Sequence, residues 1–209
     1  MSSSPSSLAT VPNPYLVEFY ALHADYDPSD PVQRDTYMRK SFALRTRYAF
    51  VVPTIKALEA IAFFSPIVEP FAGAGYWASL LRKGGVDIRA SDIHVPDGTE
   101  DHDACPNATP WTITEELEAS AAVCKYPRRT LLLCFPSPYS GAVDCVKAYT
   151  GKHVIYVGDE DWRLTGGLEL HVAFTERFLP VQSLKLPSWR GEVTTLTVWS
   201  RIGSMSQIT

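Results

Sequence analysis

Apolar residues recur along the chain at two spacings, and the switches between them mark out its elements. Leu58, Ile61 and Ala62 follow Thr54 at helical spacing, with Thr54 as the cap and Pro66 as the stop. Ile67-Val68-Glu69-Pro70-Phe71 then reads as a short buried strand running into Ala72-Gly73-Ala74-Gly75. Tyr76 to Arg82 follows as a helix halted by Gly84-Gly85. In the next segment Val86, Ile88 and Ala90 alternate with Asp87, Arg89 and Ser91, which predicts a strand ending at Asp92. Thr114, Leu117, Ala121, Ala122 and Val123 predict a further helix, with Glu115, Glu116 and Glu118 near its positive end. Thr130 to Phe135 is apolar on both faces, as a central parallel strand must be, and His153 to Val157 repeats that character after a short helix from Gly141 to Tyr149. This alternation predicts an α/β fold with a doubly wound, mostly parallel sheet. Leu168 to Phe174 reads as a last helix. Val181 to Leu186 and Thr194 to Ser200 then alternate like an antiparallel pair closing the sheet.

Upstream of this pattern the chain changes character. Residues 1–14 are rich in Ser and Pro with little to bury, and are expected to form a disordered tail. Residues 15–53 form a helical annex: an aromatic-rich helix with Tyr15, Phe19, Tyr20 and Tyr26, stopped by Asp27-Pro28-Ser29-Asp30-Pro31, and a second helix from about Asp35 to Phe50. Residues 54–203 are the core, making residues 15–209 a single domain, as a length of 209 residues favours. Val95 to Pro110 is a long polar loop, of the kind that carries function or flexibility. No repeat with a period of about 20 to 50 residues is present.

Composition narrows the classes. At 45% hydrophobic and 20% charged residues the chain is globular rather than disordered. A formal charge of −4, from 19 basic and 23 acidic residues, argues against non-specific nucleic-acid binding, which needs a strongly basic face. No apolar run is long enough to span a bilayer and no signal-like segment opens the chain, so a cytoplasmic or nuclear protein without a membrane role is expected. Cys105, Cys124, Cys134 and Cys145 contain no CxxC pair and read as free thiols.

The chemistry concentrates at Glu69-Pro70-Phe71-Ala72-Gly73-Ala74-Gly75, between a strand and a helix, with Asp92 at the tip of the next strand. Glycines let a turn take positive φ and let a ligand lie against bare backbone, while a carboxylate at the second tip can accept both ribose hydroxyls. An adenosine moiety is implied. The spacing alone fits both a dinucleotide and S-adenosylmethionine. Glu69 favours the latter, since an acid at the first tip repels a pyrophosphate but can pair with the methionine ammonium. The reversed terminal strand points the same way.

These segments, with Leu131-Leu132-Leu133-Cys134-Phe135-Pro136 and Val154-Ile155-Tyr156-Val157-Gly158, make the stretch from about Tyr48 to Arg201 resemble a little-characterised branch of the class I S-adenosylmethionine-dependent methyltransferases. The resemblance implies a seven-stranded Rossmann-like fold with S-adenosylmethionine at the strand tips. It assigns Glu69, Phe71, Gly73, Ala74 and Gly75 to the first cofactor motif, Asp92 to the ribose and Ile93 to the adenine. Tyr76 and Trp77 are expected to line the pocket, and Trp111 and Thr112 to approach the base. Phe135 and Pro136 complete the cofactor set at the fourth strand's tip, where amino-methyltransferases carry an Asn/Asp/Ser-Pro-Pro-aromatic motif. Here Phe135-Pro136-Ser137-Pro138-Tyr139 departs from that motif, leaving Ser137 and Tyr139 as the candidate catalytic groups. The partner implied is a methyl acceptor, a small molecule or a macromolecule, which Asp159, Glu160, Asp161 and Trp162 could rim. Arg34, Arg39, Lys40, Arg45 and Arg47 could guide an anionic acceptor or simply form a solvated face. His94, His102 and Cys105 fit no common zinc spacing, and no metal is expected. An NAD-dependent reductase and a catalytically silent adenosyl-binding module are the competing readings.

Overall fold

A computed structural model describes residues 5–24, 26–95 and 109–203. Seven strands form one sheet: β1 (Ile67–Glu69), β2 (Ile88–Asp92), β3 (Glu115–Glu116), β4 (Thr130–Cys134), β5 (His153–Asp159), β6 (Phe178–Lys185) and β7 (Thr194–Arg201). Their spatial order is β3-β2-β1-β4-β5-β7-β6. The first five run parallel, while β7 inserts antiparallel between β5 and β6. This is the doubly wound, Rossmann-like arrangement with a reversed terminal strand.

Side-chain alternation along the central strands builds two apolar layers. Leu132, Ile155 and Val157 face one cluster, which holds the annex together with α3 (Ile55–Phe63) and α4 (Tyr76–Lys83). Leu131, Leu133, Val154 and Tyr156 face the other, with α5 (Ala119–Lys125), α6 (Ala142–Ala148) and α7 (Gly167–Arg177). Period-two alternation between two covered faces explains why these strands read as unbroken apolar runs. The outer strand β6 is mostly exposed, and it carries Pro180 and a register shift beside it, features that blunt an edge against pairing with other chains.

Three expectations change. Part of the tail is folded: Pro5–Thr10 form a 3-10 turn, Leu8 is buried against α3 and α4, and Asn13 donates to the Pro53 carbonyl at 2.8 Å. One leucine and an asparagine that bonds in three directions supply what the composition of the segment hid. The turn at Asp27 to Pro31 starts a helix as well as ending one. After α1 (Pro14–Ala24), Asp30 caps α2 (Pro31–Arg47) by accepting from the Val32 and Gln33 N–H groups, and Pro31 sits at a first-turn position that needs no N–H. The helix ends at Arg47, where Tyr48 N–H donates to the Leu44 carbonyl, and Phe50 lies in the loop beyond it. Finally, Glu115-Glu116 form a two-residue strand against Ser91-Asp92, and the helix starts only after Glu118, whose carboxylate accepts from Ala121 N–H.

Candidate functional site

Strand order reverses between β1 and β4: from β1 the sheet grows outward through β2 in one direction and through β4 in the other. The carboxyl ends of these two strands therefore flank a crevice that their own connections cannot fill. The glycine turn hangs from the β1 side of it. Ala72 N–H donates to the Ser91 carbonyl at 3.0 Å, and Gly73 N–H donates to Asp92 Oδ2 at 2.8 Å, so β2 fixes the turn at two points. Gly75 N–H closes it on the Ala72 carbonyl at 2.8 Å. Both glycines have positive φ, +52° and +77°. Only Gly73 faces open space: a Cβ there would meet nothing within 4 Å, whereas one on Gly75 would lie 2.9 Å from Thr112 Cγ2 and Thr114 Oγ1.

Glu69 ends β1 beneath this turn. It is 1% exposed, and its Oε2 has no hydrogen-bond partner among the described residues. Burial pushes its pKa up to about 8; the Arg82 guanidinium opposes that rise and Asp92 adds to it. A buried carboxyl oxygen without a partner costs stability, and it is a position at which a cationic or hydrogen-bonding group could bind. Asp92 accepts from Gly73 N–H and, through Oδ1 at 3.1 Å, from His94 N–H. A carboxylate has about four acceptor sites, so two remain for hydroxyl groups. Ile93, next to it, is exposed.

At the β4 tip, Phe135 holds a φ of +50°, a sparsely populated conformation for a residue with a Cβ, and donates its N–H to the Val157 carbonyl at 2.7 Å. Its ring lies parallel to Phe50, with centroids 5.3 Å apart. Phe50 is the site residue that sequence reasoning missed. The signal was present in Phe50-Val51-Val52-Pro53, where the residue before a proline favours extended backbone over helix. Pro136 is buried and its carbonyl accepts from Gly166 N–H, tying this loop to the one after β5. Cys134 is half-buried close to Glu69, and desolvation holds its thiol well above the ordinary range.

Other candidates stand elsewhere. Tyr76 and Trp77 are sealed in the core with their polar atoms engaged. Tyr76 Oη donates to Asn13 Oδ1 at 2.8 Å, and Trp77 Nε1 donates to the Val51 carbonyl at 3.2 Å. Their side chains anchor the annex rather than line the crevice. Phe71 packs against the cluster on the α5–α6 side, and the Ala74 carbonyl accepts from Trp111 N–H at 2.8 Å. Trp111 lies beside the glycine turn, but its indole stacks on Tyr48 and donates to the Arg47 carbonyl. Thr112 is held by Arg82. Ser137 is exposed and its carbonyl accepts from Ser140, forming a surface turn on which Tyr139 is 98% exposed. Asp159 is turned inward to accept from Val193 N–H and Asp161 N–H. In the annex, Arg39 pairs with Asp35, and Arg45 pairs with Glu192 while lying over Trp189. His102 and Cys105 lie outside the described residues.

No protein-family model and no curated protein matches the sequence. Solved structures do. A magnesium protoporphyrin IX methyltransferase from Synechocystis PCC 6803 with bound SAM aligns over 88% of this chain and 90% of its own, at 9% identity and a TM-score of 0.47. The protein 1320 of Thermoplasma acidophilum aligns over 78% and 96%, at 14% identity and 0.45. TrmK of M. capricolum, in complex with S-adenosyl-homocysteine, aligns over 69% and 67%, at 12% identity and 0.43. Likeness at this level adds nothing to the strand order and the site geometry, which stand on their own.

Proposed function

We propose that the chain is an S-adenosylmethionine-dependent methyltransferase. In this reading Gly73 and the turn around it carry the cofactor, Asp92 accepts the ribose hydroxyls and Glu69 takes the methionine ammonium. The observation that carries it is the buried, unpartnered Glu69 carboxyl at the end of the strand that leads into the open glycine turn. The same carboxyl favours a cationic group over a dinucleotide, whose pyrophosphate has no positive charge to draw out the ionised form.

The cofactor supplies a methyl group on a sulfonium already activated for displacement. Alignment and exclusion of water are then what the chain must contribute, and no strong base is required. In this reading Phe50 and Phe135, whose rings stack, form an apolar wall on the β4 side where the acceptor approaches, and Ser137 and Tyr139, in the turn that follows Phe135, are the groups that would meet it. Membrane insertion plays no part in this reading, and among the described residues no helix is long and apolar enough to cross a bilayer.

Thermal unfolding with S-adenosylhomocysteine and with NADH tests the proposal. A ligand that binds only the folded state stabilises it by about 2.7 kcal/mol at a hundredfold excess over Kd. A rise with S-adenosylhomocysteine alone is expected. A rise with NADH alone would transfer the site to the reductase reading, and none with either would favour the silent module.

A further inference from the structure

We propose that a second site, at the opposite end of the sheet, binds a small anion carrying a flat ring, of the nucleoside monophosphate kind. The segments that lead into β1, β4 and β5 enclose a basin of about 690 Å³. It sits at the amino ends of the same strands whose carboxyl ends flank the crevice, so it is separate from the site described above. Among the described residues no acidic one lines it, in a chain whose formal charge is −4. Arg128, Arg129, Lys152 and His153 do.

The cations divide by commitment. Arg129 is spent on structure, with bonds of 2.8 and 3.0 Å to the Asp87 carboxylate and one to the Ile67 carbonyl. The side chains of Arg128 and Lys152 are exposed and form no ion pair or hydrogen bond with any described residue. Between them, His153 has a buried Nδ1 without a partner, and its ring lies 4.9 Å from that of Phe64. Phe63, edge-on to Phe64, is 83% exposed. An exposed phenyl ring beside two free cations and an unmet imidazole nitrogen offers a flat surface and a phosphate grip together. Two such cations with no acid facing them raise the local concentration of anions, and an aromatic face then selects those that carry a ring.

Titration of the ¹⁵N-labelled full chain with guanosine monophosphate, at about 0.15 M salt to suppress non-specific attraction, tests this. Expected are shifts at the Gly151, Lys152 and His153 amides with a Kd below about 1 mM. The variant Arg128→Glu/Lys152→Glu should bind at least tenfold more weakly, and both positions are exposed enough to leave the fold intact. Guanosine and inorganic phosphate, each presenting half of the ligand, should also bind at least tenfold more weakly. Absent shifts, shifts confined to the glycine turn, unchanged affinity of the double variant, or equal binding of either half would overturn the proposal. The shifts expected at Gly151 to His153 and the effect of the double variant do not depend on which cofactor the crevice takes.

Discussion

The two flanks of the glycine turn are built to opposite rules. On the annex side the aromatic polar atoms packed against the turn are used: Tyr15 Oη donates to the Ala49 carbonyl at 2.7 Å, Tyr48 Oη to Glu18 at 2.6 Å, Tyr76 Oη to Asn13, and Trp77 Nε1 to Val51, while Trp189 Nε1, on the far side of Tyr15, is buried without a partner. The rings themselves stack or meet edge-on, as Tyr15 does with Tyr48 at 4.8 Å. On the strand-tip side a buried carboxyl has an oxygen with no partner, a glycine faces open space, and a phenylalanine holds positive φ. Buried polar groups are normally satisfied, so an unpartnered carboxyl beside an open turn marks the strand tips as the candidate ligand site, while Tyr15, Tyr48, Tyr76 and Trp77, with their polar atoms engaged, serve as scaffold.

The sharpest way to break this division is to alter each flank and watch stability and affinity separate. Trp77→Ala, on the satisfied flank, should destabilise the protein by about 3–5 kcal/mol in urea unfolding, as large-to-small changes in a packed core do. A loss below about 1 kcal/mol would show that the indole does not hold the annex. Glu69→Gln acts through pH. Burial raises this group from the usual 4.5 to about 8, so the folded protein keeps a proton that the unfolded chain gives up. That contribution is full below about pH 4.5 and falls away as pH rises towards 8, on the order of a few kcal/mol. The variant should lose the slope and exceed the parent in stability above pH 8; identical profiles between pH 5 and 8 would contradict the assignment.

Smaller effects sharpen the contrast within the turn itself. Gly75→Ala meets Thr112 and Thr114 and should cost about 1–3 kcal/mol beyond the strain of positive φ. Gly73→Ala meets nothing, so only the strain of about 1–2 kcal/mol is expected, together with a tenfold or greater loss of S-adenosylhomocysteine affinity. Equal stability losses at the two positions would erase the distinction. Tyr139→Ala, at a fully solvated side chain, should stay within about 0.5 kcal/mol of the parent, whatever it does to turnover.

The same division explains what was legible in the sequence. Alternation and apolar runs revealed the sheet and its reversed last strand, because period-two patterning is local and each central strand is buried on both faces. Glu69, Gly73 and Asp92 were legible as a spacing, since backbone chemistry dictates glycine and carboxylate at strand tips. What escaped depends on contacts remote in sequence. Nothing near Tyr76 and Trp77 shows that Asn13 and Val51 would claim their polar atoms and turn the rings into core. Leu8 looked like part of a polar tail because its partners in α3 and α4 come far later in the chain. Phe50 escapes because neither Gly nor Pro marks the end of α2 at Arg47, so the helical pattern runs on through Phe50 towards Pro53.

Calorimetry of S-adenosylhomocysteine binding at pH 7, repeated in buffers of different ionisation enthalpy, tests the central claim most directly. A neutral Glu69 that must ionise to meet the ligand's ammonium group should release about one proton per ligand bound. Glu69→Gln should bind at least tenfold more weakly and release none. Binding with no proton exchange, or release that persists in the variant, would contradict the account.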